Sequence, residues 1–258
     1  MPEDISDILK NWDVDPKKTY RKIIGEDGRE MIQVRVDNAA FQGILQMDLD
    51  GRPDGRQPHG CEFVLDYYRE ALNRWREAHQ GKEGFKLNAQ DCSELFDESL
   101  RIYNRYVFLL QLQDYQRVAR DTERNMELFR FVNRYAESEE DQNNLEKWWP
   151  YILRVNGTAR AMLAVQEGRD FEKALGIVQS TREKIENLEP LKAEEFSTES
   201  ERSRKALDDL EKALKSQKPL NEVEKLQNKI EQAVAEERFE EAAVLRDKLK
   251  ELENQNSN

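Results

Sequence analysis

Proline, glycine and cysteine are all scarce in this sequence, with 7, 11 and 2 residues among 258. So few turn-forming residues favour long helices over a chain of strands and turns. No apolar run is long enough to cross a bilayer, and the first residues, MPEDISDILKNW, are not a signal peptide. We therefore expect a soluble, cytoplasmic and mainly α-helical protein with no membrane contact.

An excess of basic residues is missing as well, because 53 acidic residues outnumber 41 basic ones and give a net charge of −12. Nucleic-acid affinity depends on neutralising phosphates, so this balance disfavours direct nucleic-acid binding and leaves open only a local basic stripe. Hydrophobic residues make up 38% of the chain and charged residues 36%. That ratio suits thin helical packing in which every helix keeps a wide solvated face.

Soft metal ligands are few and widely spaced. The two cysteines, Cys61 and Cys92, have no CxxC spacing, and the two histidines are His59 and His79. A zinc site would need all four to converge, or carboxylates to help. We interpret His59 and Cys61 as a loop histidine beside a half-buried thiol, and we expect neither a metal nor a cofactor.

Three carboxylates, Asp48, Asp50 and Asp54, lie at the end of a predicted strand and in the loop that follows it. Metal-binding carboxylates often lie at such a place, so a metal-dependent hydrolase that uses them, with His59 as a base, is one alternative function. The spacing does not meet the EF-hand rule, and Asp and Gly also favour tight turns. No nucleophile with an orienting partner can be assembled, so we interpret the protein as a non-enzyme.

The first sixty residues have the pattern of strands. Two β-prone runs in residues 20–37 flank a turn at 25–28, and Ile32, Val34 and Val36 alternate with polar neighbours as in a half-buried strand. A third run covers residues 43–49. We predict a small antiparallel sheet in residues 1–60 that packs on a helical body, because such a sheet is marginal alone.

From residue 62 onward, apolar residues recur at spacings of three and four, as on one face of a helix. This pattern predicts an irregular bundle of αα-hairpins over residues 61–191. A charged stretch with few apolar residues follows, and we interpret residues 192–219 as a helical linker. The aromatic pair Trp148-Trp149 lies in the bundle, where core packing is its first interpretation and an exposed peptide or base-stacking site its second.

Three segments share one pattern in which a polar residue, an aromatic, two polar residues and a small apolar residue follow one another. They are Asp114-Tyr115 to Val118, Asp170-Phe171 to Ala174, and Arg238-Phe239 to Ala242. In each case one helix is predicted to end and another to begin. The aromatic can close the junction of an αα-hairpin while the small residue lets the two helices approach.

The last segment, residues 220–254, has two apolar stripes joined by Glu236-Glu237-Arg238, a link so short that the two helices must be antiparallel neighbours. We predict that Phe239 closes the open end of this hairpin. The residues predicted to contact a partner are Leu226, Ile230, Val234, Phe239, Ala242, Ala243, Leu245, Arg246 and Leu249.

The run from Glu237 to Asp247, ERFEEAAVLRD, resembles the UVR motif of the excision-repair proteins UvrB and UvrC. The resemblance implies a C-terminal UVR helical hairpin that binds a protein partner, either another UVR hairpin or a copy of itself, and does no chemistry. Residues 33–55 are similar to an uncharacterised bacterial family whose members also end in a UVR motif. No Walker A sequence or paired CxxC site accompanies the motif here.

These patterns together predict a non-enzymatic cytoplasmic adaptor or scaffold that docks partner proteins through the hairpin. A hairpin of this length is too small to sustain its own core, so pairing would supply the missing burial. The other alternative is an accessory factor associated with nucleic-acid repair complexes. A basic groove lined by aromatic side chains would favour that alternative, whereas converging carboxylates in a pocket would favour the hydrolase.

Overall fold

The structure is a computed structural model that describes residues 4–12, 19–38, 40–219 and 222–256. In chain order its elements are α1 (Ser6–Lys10), β1 (Tyr20–Ile24), β2 (Glu30–Asn38), β3 (Phe41–Asp48), α2 (Val64–Ala78), α3 (Ala89–Gln111), α4 (Tyr115–Tyr135), α5 (Glu139–Asn144), α6 (Trp149–Gly168), α7 (Phe171–Glu186), α8 (Glu194–Gln217), α9 (Glu222–Ala235) and α10 (Phe239–Asn256). The predicted fold class, mainly α with a small N-terminal antiparallel sheet and a terminal helical hairpin, is confirmed.

The chain divides into two compact units, residues 1–211 and 212–258. The first unit, called the body below, holds the sheet, the helices α1 to α7 and most of α8. The second holds the α9–α10 hairpin. None of the helices in the described ranges combines the length and the apolar composition that a bilayer crossing requires.

The sheet is antiparallel in the order β1-β2-β3, and Val34 of the central strand lies opposite Tyr20 and Leu45. The strand prediction is confirmed, but the half-buried alternation fails at Gln33, which is only 7% exposed. Its side chain bonds to Arg21 and Gln46, and the Arg21 guanidinium lies 4.1 Å above the ring of Trp12. Trp12, which follows α1, therefore covers part of the second face of the sheet.

The body has two clusters of buried apolar side chains. One joins Ile32 and Val34 of the sheet to residues of α3, such as Ile102 and Leu109, and of α6, such as Val155. The other lies among α2, α3, α4 and the start of α6. The sheet thus packs on the helical bundle, as its amphipathic pattern requires.

Short links make α3 with α4, and α6 with α7, neighbouring helix pairs, and α4 also packs against α6. Gly157 shows how closely α6 and α7 approach, because a Cβ at this position would lie 2.2 Å from Oγ1 of Thr181. Asn88 caps α3 in a capping box with Asp91, and Asn followed three residues later by Asp is a local pattern of helix starts.

A buried carboxylate of α3 caps the N-terminus of α2. Both oxygens of Glu98 accept backbone hydrogen bonds, from Val64 N at 2.6 Å and from Leu65 N at 3.1 Å. A negative charge at a helix N-terminus is favourable, whereas the burial of Glu98 raises its pKa. The sequence pattern did not single out this residue.

Most of the predicted linker packs on the body. Within α8, Ser203 is buried, donates to Pro150 O at 3.0 Å and accepts from Arg154 Nε at 3.2 Å. Arg182 of α7 pairs with Asp208 at 2.9 Å. Phe196 and Leu207 of α8 are buried as well, so a few apolar residues and these polar contacts together suffice to fix a stretch whose sequence is mostly charged.

Candidate functional site

The α9–α10 hairpin is closed by the three-residue link Glu236–Arg238. Glu237 has a left-handed backbone (φ 57°), and Arg238 N donates to Ala233 O at 2.7 Å. Ala233 and Ala242 have no exposed surface. Two small residues facing each other let the helices cross closely, so the hairpin is built as the sequence predicted.

The nine predicted contact residues differ in burial. Ala242 is buried, Leu226, Ile230, Leu245 and Leu249 are half-buried, and Val234, Phe239, Ala243 and Arg246 are exposed. Val244, which the prediction omitted because it lies off the apolar stripe of α10, is exposed as well. The large apolar side chains of this hairpin therefore keep much of their surface in solvent.

Phe239 does not close the hairpin, which corrects the prediction. Its side chain is 64% exposed, whereas the residues without exposed surface in this hairpin are the small Ala233 and Ala242. Phe239 instead stands at the first position of α10, directly after Arg238, which pairs with Glu236 at 2.6 Å and with Glu241. An apolar ring thus lies at the closed end of the hairpin next to a small charge cluster.

The model of one protein family, described as the UvrB/uvrC motif, matches residues 221–255. The α9–α10 hairpin is a UVR motif. The resemblance found in the sequence is therefore confirmed for this part of the chain, and the match is confined to the UVR hairpin. No curated protein and no solved structure gives a significant match to the chain.

The carboxylates of the loop after β3 do not converge. Asp48 pairs with Arg29 at 2.6 Å, and Asp54 pairs with Arg101 at 3.2 Å. Asp50 accepts from Arg117 at 2.9 Å and also from Arg120, and the hydrogen bond from Arg117 lowers the pKa of Asp50 to about 2. Each carboxylate thus serves a different arginine instead of a shared cation.

His59, the predicted base, lies apart from these three. Its Nε2 is 2.8 Å from Oε2 of Glu94, and its ring stacks on Tyr67 at 4.2 Å. Within the described ranges, no three His, Cys, Asp or Glu side chains form a group that could hold a metal ion. The arrangement therefore offers no support to the hydrolase alternative.

The cysteines and the second histidine have separate structural environments. Cys92 is buried in the α2–α3–α4 core, and this burial raises the pKa of its thiol to about 11. Cys61 is half-buried. His79 ends α2, where its ring stacks on Trp75 at 4.2 Å and Nδ1 lies 2.8 Å from Trp75 O.

Arg105 is the residue that fixes the acidic loop, and sequence reasoning missed it. Its guanidinium makes a bidentate pair with Asp121, at 2.7 and 2.9 Å, and donates to the carbonyls of Asp48 at 3.1 Å and Gly51 at 2.7 Å. Arg105 and Asp121 are both 1% exposed. Each of the three guanidinium nitrogens of Arg105 donates at least one hydrogen bond, which stabilises the buried pair, and the pair holds the loop against α3 and α4.

A basic cavity of about 510 Å³ opens on the body between the end of α2, the loop 81–86 and the end of α4. Four cations line it: Arg76, Lys82, Lys86 and Arg134. Trp75, Phe85 and Tyr135 supply its aromatic wall. None of the four cations pairs with a carboxylate in the described part of the chain, and Arg76 donates instead to the Tyr135 hydroxyl at 3.0 Å.

This cavity is a local basic region of the kind that an overall negative net charge does not exclude. The sequence hides it because Arg134 lies far along the chain from the other three, and because Glu77 and Glu83 stand among those three. Cations without partners repel one another, so an anion would relieve the repulsion. Glu83 also lines the cavity and offsets one of the four positive charges, so the lining keeps a positive excess that favours an anion such as a phosphate or a carboxylate.

Trp148 and Trp149 have different environments. Trp149 is buried and meets Phe129 edge to face, with ring centroids 5.6 Å apart. Trp148 is 36% exposed and lies at the mouth of a second cavity of the body. The core interpretation is therefore right for Trp149 and wrong for Trp148, which ends the single helical turn Glu146–Trp148.

Proposed function

We propose that the protein is a non-enzymatic cytoplasmic adaptor or scaffold that docks partner proteins through its UVR hairpin. The observation that carries this proposal is the exposure of three large apolar side chains on a hairpin of two helices: Phe239, Val234 and Val244. Large apolar side chains left in solvent on so small an element favour a role in protein interaction.

Phe171 of the body occupies the same local motif as Phe239, so the exposures of the two rings can be compared. At the junction of α6 and α7, Arg169 has φ 50° and Phe171 is the first residue of the next helix, just as Glu237 precedes Phe239 by two residues. Phe171 is only 9% exposed, against 64% for Phe239. The aromatic residue of this motif is thus buried in the body, where other helices surround it, and exposed in the UVR hairpin.

The partner that fits this surface best is a second UVR hairpin, from another protein or from a second copy of the chain. A hairpin of this size buries little surface by itself, and two such hairpins can bury their half-exposed leucines against each other. The resemblance to the UvrB and UvrC motif supports this choice, because it implies hairpin-to-hairpin binding.

The test is Phe239→Ala in the full chain, with Phe41→Ala as the matched control. Phe41 lies in the sheet and is 77% exposed, so both changes remove an exposed ring. If Phe239 anchors an interface, its truncation should cost about 2 kcal/mol or more of binding, roughly a thirtyfold loss. Self-association by sedimentation velocity and capture of partners from a cell lysate should both be measured.

Phe41→Ala should leave self-association and partner capture unchanged, and a chain ending at Lys218 should show neither. Circular dichroism should show that Phe239→Ala keeps its helicity, because the exposed ring contributes little to the fold of the hairpin. Arg246→Ala removes an exposed charge and should weaken docking without abolishing it. Full capture by Phe239→Ala would refute docking through this hairpin.

The second candidate is an accessory factor of nucleic-acid complexes, and the basic cavity of the body favours it. Arg76 and Arg134 also line a neighbouring hollow together with Arg69 and Arg130, so basic side chains continue along α2 and α4. Against this candidate stands the net charge of −12, which repels a polyanion at long range. We expect affinity weaker than micromolar at physiological salt.

Filter binding of a single-stranded oligonucleotide across salt concentrations separates the two candidates. Arg76→Ala is the test variant, and Arg74→Ala is its control on the same helix, because Arg74 is paired with Glu70 at 3.6 Å. Each phosphate contact contributes roughly 0.7 to the slope of log affinity against log salt for a single strand. Submicromolar binding that Arg76→Ala weakens and Arg74→Ala spares would favour the accessory factor over the adaptor.

A further inference from the structure

The second cavity of the body is enclosed by α3, α4, α6 and α8 and measures about 340 Å³. Its mouth is marked by Leu100, Tyr103 and Trp148, which are 56%, 38% and 36% exposed. Phe96 and Phe129 form its walls. The cavity lies wholly within the body, so it is independent of the UVR hairpin.

The mouth gathers three of the large apolar side chains that the body leaves in solvent. Leu100 and Tyr103 are on the same face of α3, and Trp148 approaches from the turn before α6. Of the two neighbouring tryptophans, Trp149 is buried in the core and Trp148 is left partly in solvent. Apolar side chains gathered around a concave opening are the usual lining of a small-molecule site.

The inner end of the cavity holds a polar group without a partner. Asn125 is 1% exposed, and its Nδ2 donates to Ser99 O at 3.0 Å. Its Oδ1 has no hydrogen-bond partner among the described residues. Buried amide oxygens are nearly always paired, because an unpaired one loses its hydration with nothing in return. The Tyr106 phenol contacts the same side chain, and the acceptor that remains free can take a hydrogen bond from a donor on a ligand.

The remaining polar groups restrict the charge of that ligand. Glu199 lines the cavity and is already paired with Arg202 at 2.8 Å. The phenol of Tyr106 also lies at the inner end and is buried, and this burial raises its pKa, so it stays neutral. No cation is among the residues that line the cavity, which makes the site unsuitable for an anion.

We propose that this cavity binds a small planar aromatic molecule that carries an N–H or O–H donor, and that the donor bonds to Oδ1 of Asn125. Aromatic walls favour a flat aromatic body through stacked and edge-to-face contacts. The volume is at the lower end of small-molecule sites, so one or two fused rings fit and a helical peptide does not. The ligand is neutral or positively charged.

The experiment uses two probes of nearly equal shape, indole and benzofuran, on the full chain. Benzofuran has an oxygen in place of the indole N–H, so only indole can donate to Asn125. Titrations followed by ligand-observed NMR should give saturable binding of indole and a dissociation constant on the order of tenfold higher for benzofuran, because a buried acceptor left unpaired is costly.

Two variants assign the effect to this cavity. Asn125→Leu removes the acceptor at similar volume and should make the two probes bind equally. Leu100→Trp should fill the mouth and weaken both probes at least tenfold, and it should fold because Leu100 is exposed. Leu45→Trp, on the exposed face of β3, is the matched control and should leave binding unchanged.

The proposal is overturned if neither probe binds saturably, if indole and benzofuran bind the unaltered chain equally, or if Leu100→Trp binds both like the unaltered protein. A further outcome concerns a protein ligand. If the small probes fail and a peptide with an exposed tryptophan binds the unaltered chain but not Leu100→Trp, the cavity receives a partner side chain and the small-molecule proposal is wrong.

Discussion

The body and the UVR hairpin use the same helix junction with opposite results. In the body, Gln113 and Arg169 have left-handed backbones, and Asp114 and Asp170 cap the helices that follow. The small residues after these caps, Val118 and Ala174, are buried without exposed surface. Ala242 of the UVR hairpin is buried in the same way, so all three junctions cross closely.

The aromatic residue of the junction differs between the two regions. Tyr115 and Phe171 are half-buried or buried in the body, whereas Phe239 lies open in the UVR hairpin. Two helices alone cannot cover an aromatic ring at the closed end of their hairpin, whereas the additional helices of the body can. Local sequence therefore fixes how the helices cross, and the number of neighbouring helices decides whether the aromatic becomes core or surface.

The largest effect is expected from a variant that destabilises only the body. Asp121→Ala leaves the guanidinium of Arg105 buried without its carboxylate, and breaking such a pair typically costs about 3–5 kcal/mol. We expect urea unfolding of the body to shift by that amount. The α9–α10 amides, followed by hydrogen exchange, should keep their protection if the hairpin folds independently of this pair.

The control for this variant is Asp208→Ala, which removes an exposed carboxylate that pairs with Arg182. Surface pairs contribute about 1 kcal/mol or less, so the control should move the urea midpoint only slightly. Equal losses for the two variants would mean that the buried pair is not a central support of the body.

A smaller effect is expected from overfilling the crossing of the UVR hairpin. Ala242→Leu inserts three carbon atoms where no space is exposed, and overpacking costs about 1–3 kcal/mol. Ala243→Leu adds the same atoms at the adjacent, exposed position and should change stability by less than about 0.5 kcal/mol. Hydrogen exchange of residues 222–256 measures both changes directly.

Neither substitution should alter the urea midpoint of the body. Faster exchange in Ala242→Leu alone would agree with a hairpin held mainly by its alanine crossing. Similar exchange in both variants would show instead that the half-buried leucines, and not the crossing, hold the two helices together.

Much of this fold could be predicted because its signals are local. The alternation of Ile32 and Val34, the Asn88 and Asp91 cap, and the short link at 236–238 each involve residues close in sequence. The same holds for the UVR motif, which lies in one run of residues. Periodicity and capping report on such neighbours directly.

The remaining features depend on residues that are distant in the sequence. The pair of Arg105 with Asp121 also holds carbonyls near residue 50, and nothing in the charge pattern of α3 distinguishes this arginine from its exposed neighbours. The burial of Gln33 depends on Trp12, and the basic cavity depends on Arg134. Only the tertiary structure brings these groups together.

The smallest predicted effect is a pH dependence in the polar network that the body has at the start of α4. Asp50 is bonded to Arg117 and Arg120, and the hydrogen bond from Arg117 lowers its pKa from 3.8 to about 2. A carboxyl whose pKa is lowered on folding stabilises the protein above its unfolded pKa and loses that contribution as the pH falls through the folded value. Asp50 is largely exposed, so solvent limits the contribution to about 1 kcal/mol or less.

Asp50→Asn keeps the shape and removes the charge, so it isolates this contribution. We expect the unaltered chain to exceed the variant in urea midpoint at pH 6 and still at pH 4, with the difference shrinking between about pH 4 and pH 2. Comparing the two proteins at each pH cancels the titration of every other carboxylate. A difference that persists undiminished at pH 2 would assign the stabilisation to the shape of the hydrogen bonds and not to charge. Hydrogen exchange of the UVR hairpin should be the same in both proteins throughout, because the altered network lies entirely within the body.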